Sequence, residues 1–257
     1  MSSSPFLRNR TRQLARQAGR AVEAGTPQAP APDTEAGQEY AVLKVRLHDN
    51  LRTLQDIASV DARKPLKAEF LDSFRPWLEG VLAADVAVQD EILLTGMVWA
   101  LDIGDIAMAL RLGAFALKHG LAMPERYSRT VACFLREDVA EIALADPDAV
   151  ALIELAFLDQ MTAEADMPDQ AKAKLNKSLG RAWAAKAEDF DPAADNAPGG
   201  GAAAYYQQAL DHLRRALQLD TKAGVKKDIE QIERRLRAAE ADARSSDSGD
   251  ASASDAD

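Results

Sequence analysis

The chain has 257 residues, 47% of them apolar and 5% aromatic, with a formal net charge of −10. That length holds one large domain or two small ones, and an alanine-rich composition without runs dense in Val, Ile and Thr favours helices over sheets. The apolar stretches are too short and too often charged to span a bilayer, the first residues lack a secretory hydrophobic core, and a lone Cys133 excludes an internal disulfide framework, so a soluble intracellular protein with no membrane association is expected.

In chain order, residues 1–22 carry Arg8, Arg10, Arg12, Arg16 and Arg20 and no acid. Arg8, Arg12, Arg16 and Arg20 recur every four residues, so on a helix they form a slightly drifting stripe that meets successive phosphates. Unbound, the like charges repel, and the arm is expected to be loose; against DNA it folds and releases counterions. A solvated tail without a specific role is the other reading of the same residues. Residues 23–37, rich in Pro, Ala and Gly, read as a linker, so 1–37 is taken together as a disordered basic arm and linker.

A helical core domain is expected over 38–187. Tyr40, Leu43, Leu47, Leu51, Leu54 and Ala58 follow at steps of three and four, a continuous seam that either packs internally or pairs with another subunit. In the next segment Pro65 suggests a helix start and Pro76 a kink or break, with Phe70, Phe74, Trp77, Leu78 and Leu82 on one apolar face. A further helix is expected from about Gln89 to Leu101. Trp99 to Arg129 reads as a helical hairpin whose Gly104, Asp105, Ala109, Leu110, Ala116 and Leu117 follow the tetratricopeptide pattern of small residues and leucines. Met123-Pro124 opens a loop, and helices resume at Arg136–Ala145, Asp148–Thr162 and Pro168–Lys186.

Residues 188–201 read as a hinge and 202–239 as a C-terminal helical hairpin, where Ala209-Leu210 and Ala216-Leu217 repeat the earlier spacing. Residues 240–257 read as a disordered acidic tail, with six acids against Arg244 alone. With the two charged ends set apart, the body still carries net negative charge and repels DNA at long range, so any DNA contact must be local.

Catalytic chemistry finds little support in the residue spacing. Pro168-Asp169 precedes Lys172 and Lys174, but the second acid of a two-metal nuclease is missing. Asp102 and Asp105 are explained by a turn and a helix cap. His48, His119 and His212 are scattered, and Cys133 reads as a small apolar residue. Gly199-Gly200-Gly201 lacks the lysine and hydroxyl residue of a phosphate loop. Lys172, Lys174, Lys177, Arg181 and Lys186 form a second basic cluster, read as a solvated face. Lys226, Lys227, Arg234, Arg235 and Arg237 have Asp228, Glu230 and Glu233 among them and are read the same way. No cofactor and no metal is expected, and no catalytic residue is assigned.

Several longer segments resemble one family. They are FLDSFRPWLEGVL at 70–82, QDEILLTGMVWALDIGDIAMAL at 89–110, LKHGLAMPERYSRT at 117–130, TAEADMPDQAKAKLNKSLG at 162–180 and ALDHLRRALQLDTKAGVKKDIEQIERRL at 209–236. In order and extent they resemble the small terminase subunit, or terminase endonuclease subunit, family of cos-packaging tailed phages of the peduovirus type and related prophages. The resemblance implies a DNA-packaging role in the cytoplasm of the bacterial host. Its partners would be double-stranded phage DNA and a large ATPase subunit, and the chain would act as a homo-oligomer. It leaves open whether this subunit cuts DNA itself, only directs cohesive-end cleavage, or serves as an adaptor of the large subunit. The acidic end departs from relatives with a basic tail and shifts DNA binding to Arg8, Arg10, Arg12, Arg16 and Arg20. The expected fold is all-α: helical hairpins of tetratricopeptide-like character, a disordered N-terminal arm and an acidic C-terminal tail.

Overall fold

The computed structural model describes residues 4–20, 28–191 and 201–250, with the side chains of 18–20 and 242–250 left undescribed. Ten α-helices and no strand occur among these residues. The chain divides into two compact units, residues 1–135 and 136–257. The division falls inside a helix, whereas composition placed the joint at 188–201, of which 192–200 lie outside the described residues.

Six helices begin in the first unit: α1 (Pro5–Arg20), α2 (Glu35–Gln55), α3 (Val60–Ala84), α4 (Glu91–Asp102), α5 (Ile106–Lys118) and α6 (Val131–Ala145), the last of which crosses into the second unit. The starts of α2 to α5 are set by side-chain caps that satisfy orphan backbone donors. Thr34 accepts from the Gly37 amide, Ser59 from Ala62, Asp90 from Ile92 and Leu93, and Asp105 from Met108. Helix α2 therefore begins three residues before the Gln38 start expected, because the linker's Thr34 caps it.

Helix α4 lies at the centre. Ten of its residues, Ile92 through Leu101, are buried in succession, the pattern of a helix packed on every side. Around it gather Leu71, Phe74, Trp77 and Leu78 of α3 and Leu47 of α2, all essentially inaccessible. The α2 seam thus packs internally through Tyr40, Leu43, Leu47 and Leu54. Helix α3 runs through both Pro65 and Pro76, against the expected start and break. An interior proline costs about 3 kcal/mol. Phe74, Trp77, Leu78 and Val81, buried on both sides of Pro76, each contribute roughly 1.5–3 kcal/mol, so continuity wins. In the α4–α5 hairpin, Gly104 takes the left-handed turn (φ 81°), and Ala109, Leu110 and Ala116 are buried.

The second unit contains α7 (Leu152–Met161), α8 (Asp169–Glu188), α9 (Gly201–Leu219) and α10 (Lys226–Asp250). Each packs on the next, α7 on α8, α8 on α9 and α9 on α10. Gly180 is the close-approach point: a Cβ there would stand 2.5 Å from Leu213 Cγ and 3.0 Å from the Ala209 carbonyl oxygen. Ala209, Leu210, Leu213, Ala216, Val225 and Ile232 form the core, so α8 belongs with the C-terminal hairpin. Helix α10 extends to Asp250, into the segment expected to be disordered from 240; residues 251–257 lie outside the described residues. No described helix is long and apolar enough to cross a membrane.

Candidate nucleic-acid interface

The arginine arm is a docked helix, not a loose tail, over residues 5–20. Its Leu14 and Ala15 are buried. Gly80 of α3 makes room for it, since a Cβ at that position would lie 2.5 Å from both Ala15 Cβ and the Arg12 carbonyl oxygen. Arg10 Nη2 donates to Glu35 Oε1 at 3.0 Å, Thr11 Oγ1 to Glu39 Oε1 at 3.0 Å, and Arg12 pairs with Glu79. Repulsion among the arginines is offset by acids of α2 and α3 that only the tertiary fold brings opposite them. Arg8 and Arg16 are exposed, and the Arg20 side chain lies outside the described residues. The basic arm is therefore partly engaged: Arg10 and Arg12 meet acids of α2 and α3, while the side chains of Arg8 and Arg16 are solvent-exposed.

The densest charge network lies elsewhere in this unit and was not legible as a site. Glu91, the first residue of α4, accepts from Arg126 Nη1 at 2.9 Å and lies 3.4 Å from both Lys44 Nζ and His48 Nε2. Burial opposes its ionisation, but the bonds from Arg126 and His48 and the charge of Lys44 outweigh that and hold its carboxyl below the usual range. Beside it, Gln89 clamps the loop after α5 through a reciprocal pair with the Ala122 amide and carbonyl, at 3.0 and 2.7 Å. Lys44, Glu91, Arg126 and Tyr40 line a cleft of about 620 Å³. The local charge nearly cancels, which suits a strut for the loop better than a phosphate clamp.

Asp90 next door is fully buried. Its Oδ1 accepts from Ile92 and Leu93, and its Oδ2 accepts from Trp77 Nε1 at 2.7 Å. Burial raises its pKa to about 6 despite those bonds. The Tyr40 hydroxyl accepts from the Glu91 amide, and burial, with the nearby Asp90 charge, pushes that phenol upward.

The remaining sequence candidates separate into structural roles. Asp102 accepts from Lys67 Nζ at 2.6 Å and Asp105 caps α5. His48 meets Glu91, His119 meets Asp85 and His212 meets Asn176. Cys133 is buried. Among the described residues no three of His, Cys, Asp and Glu gather as metal ligands would.

The basic residues of the second unit are partly engaged. Lys174 pairs with Glu141 at 3.2 Å, Arg181 with Asp228 at 2.9 Å, Arg214 with Glu233 at 2.7 Å, and Arg235 with Glu188. Lys177 Nζ donates to the Ala223 carbonyl at 2.9 Å. Asp228 of α10 is thus paired with an arginine of α8, and Glu233 is shared between Arg214 of α9 and Arg237 of α10 itself. Lys226, Lys227 and Arg234 remain exposed.

Residues 44–170 match the family model of the phage small terminase subunit. The chain is 39% identical over 221 residues to the terminase, endonuclease subunit of Escherichia phage P2, a match covering 85% of this chain and 83% of that relative. The chain belongs to the phage small terminase subunit family. A second relative, the probable terminase, endonuclease subunit of Haemophilus phage HP1, is 26% identical over 207 residues, covering 79% of this chain and 72% of its own. No solved structure matches this small terminase subunit. The family match takes in α3 to α7 and the C-terminal part of α2, and the P2 relative spans most of both units by length.

Proposed function

We propose that this small terminase subunit binds double-stranded phage DNA and, with a large ATPase subunit, directs cohesive-end cleavage and packaging in the host cytoplasm. The observation that carries the reading is family membership, supported by an identity of 39% across most of the chain to a terminase subunit. The chain works as a homo-oligomer in which exposed arginines of each copy, Arg8 and Arg16 foremost, add weak phosphate contacts. Linkage between copies multiplies their effect. Helices α4–α5 and α9–α10 serve as tetratricopeptide-like hairpins that support association with the large subunit.

The test is a titration of the full chain against cohesive-end and scrambled duplexes with magnesium, scoring binding and nicking together. Deleting residues 1–22 would strip buried Leu14 and Ala15 from the first unit, so the arm is tested by R8Q/R16Q instead. Binding without nicking, weakened in that variant, supports a recognition subunit. Absence of duplex binding by the full chain refutes it and leaves an adaptor.

A second reading, intrinsic nuclease activity, is favoured by the names of the two relatives, both described as endonuclease subunits. Site-specific nicking by this chain alone would establish it.

A further inference from the structure

The DNA-binding reading can be given a second place in the fold, away from α1. The turn between α9 and α10, residues 220–225, brings four lysines together. Lys222, Lys226 and Lys227 are exposed around it. Lys177 of α8 reaches the same turn, its ammonium 2.9 Å from the Ala223 carbonyl oxygen and 3.7 Å from where a Cβ on Gly224 would stand.

Lysines outnumber the free acids around this turn: Asp228 is paired with Arg181 at 2.9 Å, Asp220 Oδ1 accepts the Lys222 amide at 2.8 Å and keeps its charge, and Glu230 stands exposed one turn along α10. Among the described residues no ion pair joins Lys222, Lys226 or Lys227 to a carboxylate. Nor does helix stability explain them. Lys226 and Lys227 occupy the first turn of α10, where the macrodipole disfavours cations by about 0.3–1 kcal/mol each. A chain with a net charge of −10 that concentrates a net excess of positive charge at one exposed turn has the local attraction that its bulk field lacks.

The chemistry of the patch selects the partner. Lysine is depleted from protein–protein interfaces, whose cores are aromatic and aliphatic. The large exposed apolar residues of this unit, Ile153 and Phe157, lie on α7, not at this turn. Flexible ammonium groups without an apolar anchor match a phosphate backbone, which they grip without reading bases.

We propose that Lys177, Lys222, Lys226 and Lys227 form a docking site for the phosphate backbone of double-stranded DNA. This rests on the DNA-binding reading above and places part of that contact in the second unit.

The experiment is fluorescence anisotropy of labelled cohesive-end and scrambled duplexes with the full chain, across a salt series, comparing wild type with K222Q/K226Q/K227Q. A charge-matched control, R52Q/K64Q/R75Q, removes three cations whose partners are local acids. The lysine variant should bind both duplexes roughly tenfold or more weakly, with a salt slope shallower by about 2–3, near one for each phosphate no longer gripped. The control should follow the wild type.

A lysine variant indistinguishable from the control, while the wild type binds, overturns this site and leaves the DNA-binding reading intact. A wild type that binds neither duplex overturns both. A lysine variant that keeps DNA binding but fails to associate with the large subunit also overturns the proposal and makes the turn a protein-docking face. Unchanged thermal unfolding and helical content in the lysine variant show that weaker binding does not come from a damaged fold.

Discussion

The buried hydrogen bond between Trp77 and Asp90 yields the sharpest test of how the first unit is held together. Asp90 uses both oxygens as acceptors: Oδ1 for two amides at the start of α4 and Oδ2 for Trp77 Nε1. Asn is as good a helix cap, but one of its two terminal atoms is an NH₂. In D90N that group faces either the α4 amides or the indole N–H, donor against donor. Leaving a buried donor unsatisfied costs about 1–3 kcal/mol.

The same residue sets a pH signature. Burial raises the Asp90 carboxyl from 3.8 to about 6, so the folded state holds its proton more tightly than the unfolded chain does. The stability this contributes is fully present below the unfolded value near 4 and is lost as pH rises through about 6. It amounts to about 3 kcal/mol over the full window and about 1 kcal/mol between pH 7 and 5. Asn cannot take that proton, so the gap between wild type and D90N should widen by about 1 kcal/mol on going from pH 7 to pH 5. Urea unfolding followed by tryptophan fluorescence at pH 7, 6 and 5 measures it. Carboxylates held low, such as Glu91 and Asp85, titrate below this window and largely cancel in the difference. A gap that stays constant or narrows toward pH 5 would refute the reasoning.

Three other outcomes follow from named contacts. G80V should lever α1 away from α3 at a cost of about 1–3 kcal/mol and raise amide exchange across residues 8–17; unchanged protection would mean that α1 docks by another route. R136A removes a buried guanidinium that donates to Thr162 Oγ1 at 2.6 Å and to Asp159 Oδ1 at 2.7 Å, and should destabilise the second unit by about 2–3 kcal/mol in calorimetry. A loss near zero would show that those bonds contribute nothing net. R126A should accelerate proteolysis of the loop around Ala122–Arg129 while shifting global stability by only about 1 kcal/mol, since the Glu91 pair is partly exposed; an unaltered cleavage rate would leave the Gln89 clamp as the loop's anchor.

Most of the helical architecture was legible along the chain. The helix expected from about Gln89 to Leu101 is there as α4, and the three-and-four spacing of Tyr40, Leu43, Leu47 and Leu54 gave the inner face of α2. Caps at Asp90 and Asp105 and the glycine turn at Gly104 are local chemistry, decided within a few residues. The prolines misled because local propensity sets only the cost of a helix through Pro65 and Pro76. The offsetting burial of Phe74, Trp77 and Leu78 depends on α4.

The candidate interface was less legible, because periodicity reports which face is charged but not what stands opposite. By itself the sequence determined helix positions, the polarity of their faces and the concentration of arginine at one end. Only the tertiary structure decided that Arg10 and Arg12 meet Glu35 and Glu79, and that Asp228 and Glu233 serve Arg181 and Arg214. The physical reason is that an ion pair is a property of two positions. Partners separated by 19 to 67 residues meet only when packing fixes both helices. That leaves Lys222, Lys226 and Lys227 exposed, with Asp228 already paired to Arg181.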